Sequence, residues 1–83
     1  MIKHDEIEPK ALLRLIRSGD VTLGGNARLK IFGTLSCKSG KRMLRKNRVF
    51  FENEEDANRQ GYRPCGHCMR TAYLVWKVSQ VNS

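Results

Sequence analysis

Apolar and polar positions first separate the chain into short elements. Glu8 to Arg17 reads as a helix, with Pro9 at the first helical position, where its missing N–H costs nothing. Leu12, Leu13 and Ile16 form its apolar stripe, Ile7 staples onto Leu12, and Gly19 supplies a stop. Gly24-Gly25-Asn26 reads as a turn. Leu29, Ile31 and Gly33 alternate with Lys30 and Phe32, which suits a short strand, and Arg48-Val49-Phe50-Phe51 suits another. Ser36 to Gly40 reads as a loop, and Lys41 to Asn47 fits either a helical turn or an irregular segment. Asn53 caps a short helix whose first turn holds Glu54, Glu55 and Asp56, and Gly61 ends it. Those three acids serve the helix end and do not form a catalytic cluster. A C-terminal helix follows, with Met69, Ala72, Tyr73 and Trp76 on one face. The pattern predicts an α+β fold: a small antiparallel sheet of two or three short strands, flanked by helices, with a long C-terminal helix.

Length narrows this to one domain over 1–83. A chain of 83 residues buries little surface, so a metal, disulfides or oligomerisation is expected to support it. No run approaches the length of a membrane span, and the acidic start lacks the apolar region of a secretory signal. Three cysteines are an odd number for a disulfide-stapled fold. A reducing, cytoplasmic setting is therefore expected, where cysteine clusters bind metal.

The net charge of +8 is concentrated. Residues 1–20 hold four acids and four bases, as do residues 52–83. Residues 21–51 hold no acid and eight bases. Such a patch suits DNA or another phosphate-rich partner, though a solvated face gives the same composition. Lys38, Lys41, Arg42, Arg45, Lys46, Arg48 and Arg63 are the candidate phosphate contacts.

Cys65-Gly66-His67-Cys68 is the sharpest local signal. Two cysteines three apart on a tight turn can hold one Zn²⁺, and Gly66 relieves the backbone there. A thioredoxin-like pair would need a longer βαβ domain. Cys37 supplies a third sulfur, and structural zinc ordinarily takes four ligands. His4 and His67 are read as core or solvated imidazoles rather than ligands. The predicted metal residues are Cys37, Cys65 and Cys68, around one zinc whose fourth place falls to water, a His or another donor that the sequence does not identify.

Three stretches carry a family resemblance: Ile31-Phe32-x-x-x-Ser36-Cys37, Lys46-Asn47-Arg48-Val49-Phe50-Phe51, and Ala57-x-x-x-Gly61-Tyr62-Arg63-Pro64-Cys65-x-x-Cys68. Over 31–69 the chain resembles the zinc-binding domain family found at the N-terminus of the Ada DNA-repair protein. That resemblance implies four cysteines around one zinc, the first accepting a methyl group from a DNA methylphosphotriester. Cys37 matches the second cysteine, and Cys65 and Cys68 match the third and fourth. Gly33 occupies the position of the first, the methyl acceptor. Pairing Cys37 with the first cysteine instead breaks the Ile-Phe and Ser-Cys register, and leaves 27 residues to Cys65, which suits the second-to-third gap.

The leading expectation is a zinc-binding, DNA-contacting module without methyl transfer; Gly33 at the acceptor position weighs against an enzyme and leaves that question open. Two others stand beside it: a structural or protein-interaction module, and a methyl acceptor using Cys37. Oligomeric state is not legible in the sequence.

Overall fold

The computed structural model describes residues 1–37 and 43–81. Helix α1 (Pro9–Ser18) begins at the proline and ends on Gly19, which takes φ 83° and donates its N–H back to Ile16 O. Leu12 is its one buried residue. Leu15 and Ile16 pack beside it while Leu13 is half exposed, so the stripe runs through 12, 15 and 16 rather than 12, 13 and 16. Helix α2 (Glu54–Arg59) is capped as expected: the Asp56 N–H donates to Asn53 Oδ1 at 2.9 Å. Gly61 follows with φ 84°. The C-terminal helix α3 spans Arg70–Val81.

The sheet is larger than the pattern predicts. Five strands, β1 (Ile2–Lys3), β2 (Leu23–Asn26), β3 (Ile31–Thr34), β4 (Arg48–Phe51) and β5 (Arg63–Pro64), lie in the order β1-β4-β2-β3-β5. All pairs are antiparallel except β3 with β5, which is parallel. The α+β class holds, but the sheet is mixed.

The predicted turn at Gly24-Gly25-Asn26 is instead the central strand β2. Its glycines answer to crowding: a Cβ on Gly25 would lie 2.9 Å from both Ile31 O and Phe51 Cε2. The turn falls one step later. Asn26 Oδ1 accepts the N–H groups of Arg28 and Leu29, and Lys30 takes φ 58° to enter β3.

Paired residues in neighbouring strands share a face. Val49 and Phe51 of β4, Leu23 of β2 and Phe32 of β3 point to one side. There they meet Ala57 and Tyr62 in the main core, with Phe32, Val49 and Phe51 each 1% exposed. The other side carries the row Arg48, Asn26, Ile31, Arg63 and, beyond it, Phe50, Gly24 and Gly33. Phe50 anchors a second cluster there with Leu12 and Val21. His4 stands edge-on to Phe50, ring centroids 5.4 Å apart, with its Nδ1 buried. On the β3–β5 side of that same face lie the three cysteines.

Candidate metal centre

Two chain segments bring the thiols together. Cys37 follows β3 in a turn whose N–H donates to Thr34 O. Cys65 and Cys68 sit on the tight turn between β5 and α3, and the Cys65 N–H donates to Phe32 O at 2.7 Å. That bond hangs the turn on β3. Gly66 lets it lie against the Tyr73 ring, where a Cβ would come within 3.2–3.4 Å of three ring carbons.

The three Sγ atoms all lie within 4.8 Å of one another, with Cys37 and Cys65 at 4.0 Å. Zinc at 2.3 Å from each of four tetrahedral donors sets sulfurs about 3.8 Å apart, so small side-chain shifts suffice. Two backbone N–H groups already face the sulfurs: Thr34 toward Cys68 and His67 toward Cys65, each at 3.4 Å. Such N–H donors are the kind of outer partner that orients a metal-binding sulfur. Burial pushes the Cys68 thiol up, opposed by its hydrogen bonds from Thr34 and reinforced by Cys37 and Cys65 beside it. A bound zinc ion would favour thiolate ligands at this group. The donor set therefore fits the metal.

His67 is exposed, and neither histidine joins the thiol group among the described residues. Gly33 does stand at it. A Cβ built there would lie 2.6 Å from Cys68 Sγ, 3.2 Å from Cys65 Cβ and 4.0 Å from Cys37 Cβ.

A cavity of about 330 Å³ opens on the Gly33 side. Gly24 and Gly33 line its floor, Leu35, Met43 and Phe50 its walls, and Cys37 and Cys65 also face it. Of the expected basic residues, Arg48 on β4 and Arg63 on β5 line this cavity from the two ends of one cross-strand row, on the same face of the sheet. Arg63 also donates to Pro64 O and lies over Tyr73 and Trp76, 5.3 and 5.6 Å from their ring centroids. Arg45 and Lys46 are exposed on a 3₁₀ turn leading into β4. Lys38, Lys41 and Arg42 lie outside the described residues.

Two participants escape the sequence reading. Thr34 reaches Cys68 with its backbone N–H and its side chain, and no metal-ligand spacing marks it in the sequence. Gly24 joins Gly33 on one face only through the pairing of β2 with β3, since Gly24 stands opposite Gly33.

A sequence model of the family described as the metal binding domain of Ada matches residues 18–70. Comparison with curated proteins and with solved structures returns no match. The match extends upstream of the recognised motifs to take in β2, and it includes all three cysteines. With most of the chain matched and three thiols gathered where that family holds zinc, this protein belongs to the Ada metal-binding-domain family.

Proposed function

We propose that the chain is a zinc-stapled module that contacts DNA phosphates through its basic face and does not accept methyl groups. The observation that carries this reading is Gly33. It abuts all three cysteines and offers no side chain to ionise or alkylate, and the Ile-Phe and Ser-Cys register assigns it the position of the family's acceptor thiol. When bound, zinc holds the three thiols as thiolates and ties the β5–α3 turn to the end of β3.

Charge supports the DNA contact. Residues 21–51 hold eight bases and no acid. Arg48 and Arg63 flank the cavity beside the thiols, and no acidic residue lines it among the described residues. Exposed Arg45 and Lys46 extend the patch from the start of β4. Contacts of this kind give affinity more than sequence choice.

Titration of duplex DNA at two salt concentrations tests the reading. Binding should weaken steeply with salt, and Arg45→Ala or Lys46→Ala should each lower the salt slope by about one phosphate. Absent binding at low salt, with metal retained, favours a structural or protein-interaction module. Mass spectrometry after incubation with methylated DNA addresses methyl transfer: a methyl adduct on Cys37 would overturn this part of the proposal.

A further inference from the structure

We propose that DNA binding at the basic face is proton-linked through His4, whose imidazolium adds a further cation beside Arg45 and Arg48. The inference rests on the phosphate-contact reading and names what regulates it. His4 is remote from the basic segment in sequence, and the pairing of β1 with β4 brings the two together. Ile2 stands opposite Phe50 and Lys3 opposite Val49, so the register runs on to set His4 beside Arg48. The His4 ring lies edge-on to Phe50, on the sheet face that carries the cavity and Arg48. The short 3₁₀ turn that His4 opens (His4–Glu6) packs against the turn Arg45–Asn47 that leads into β4. One imidazole thus stands where two cations of the basic segment converge.

Its surroundings disfavour a charge in the free protein. Nδ1 is buried and has no hydrogen-bond partner among the described residues, so no acceptor rewards a proton there. Burial first, then Arg45 and Arg48, work against the charged ring, and Asp5 on its own turn opposes them. Lys46 and Glu6, on the two turns, are exposed. The ring is therefore mostly neutral at neutral pH. DNA changes that balance. A phosphate drawn to Arg45 and Arg48 offsets the two charges that repel the ring, and itself attracts an imidazolium. A proton taken up from solvent on binding must, by reciprocity, tighten binding as pH falls.

Proton NMR of the zinc-loaded protein follows the two histidine rings through a pH titration, with and without a short DNA duplex. The His4 signal is the one missing from His4→Phe. In the free protein it should titrate below 6.5, and in the complex at higher pH. Arg45→Ala should raise the His4 titration in the free protein, because it removes a repelling charge. Fluorescence anisotropy with a labelled duplex at fixed salt then reads the other side of the linkage. Binding should be about threefold tighter near pH 6 than near pH 8, the worth of roughly one added exposed ion pair, and His4→Phe should lose that gain.

An unchanged His4 titration in a complex that still weakens with salt would overturn the inference and leave the phosphate contacts standing. An undiminished gain at low pH in His4→Phe would also overturn it, by assigning the proton to another group. Absent binding at low salt would overturn both readings. Should His4→Phe fail to fold, the contact of the ring with Phe50 assigns the His4 signal, and its titration with and without DNA decides.

Discussion

Adjacent glycines in β2 should respond oppositely to one added methyl group. On Gly25 the new Cβ points into the main core. It would lie 2.9 Å from Ile31 O, 2.9 Å from Phe51 Cε2 and 3.3 Å from Val49 Cγ2. The first of these is backbone in a paired strand, and Phe51 and Val49 are each 1% exposed, so none can swing aside cheaply. Overpacking of this kind costs about 2–3 kcal/mol. For a domain of this size each kcal/mol moves the melting point by roughly 4–8 °C, so Gly25→Ala should lower it by about 8–24 °C. On Gly24 the Cβ points to the cavity, with its nearest contacts at 3.7–4.0 Å. There the methyl group mainly restricts the unfolded chain, which stabilises by about 0.5 kcal/mol and raises the melting point by roughly 2–4 °C. Urea and thermal melts of the zinc-loaded proteins, followed by circular dichroism, measure both. A Gly25→Ala protein as stable as wild type, or a Gly24→Ala protein as damaged as Gly25→Ala, would refute the assignment of the two faces.

Three further outcomes are expected. Tyr62 is 3% exposed, and its hydroxyl is buried without a hydrogen-bond partner among the described residues; Tyr62→Phe should raise stability by about 1 kcal/mol in urea melts. The His4 imidazole is held below its ordinary 6.5, first by burial and then by Arg45 and Arg48, with Asp5 opposing. Its contribution is complete above pH 6.5 and is lost as pH falls below it, because the unfolded chain takes the proton first; His4→Phe should flatten that part of the stability–pH curve. Chelation, or Cys65→Ser, should loosen the β3–β5 edge, seen as faster amide exchange at Arg63 and Cys65 than at Val49 and Phe51.

Local signals made α1, α2 and β4 legible in the sequence. Pro9 and Gly19 bracket the first helix, Asn53 and Gly61 the second, and Arg48–Phe51 reads as a strand by composition alone. Strand β2 was hidden because a Gly-Gly-Asn run favours a turn unless packing forbids side chains, and only the fold shows Ile31 and Phe51 crowding Gly25. Strands β1 and β5 are two residues each and exist only through their partners β4 and β3. The thiol cluster was legible because Cys-x-x-Cys spacing is a local device. Its setting was not: the cavity depends on register, which places Gly24 beside Gly33 and turns both away from the main core.

The parallel pairing of β3 with β5 gives the metal a role in chain entropy. Cys37 and Cys65 are 28 residues apart, and the loop between them contains β4, α2 and Tyr62, hence most of the main core. A zinc ion joining its ends acts as a reversible cross-link around that core. By the loop-closure relation for a cross-link, closing 28 residues removes about 3.6 kcal/mol of disorder from the unfolded chain. That is comparable to much of the stability of a domain this small. Metal supply would then govern how much of the chain is folded, and the centre would act on the domain's lifetime as well as on whatever it binds.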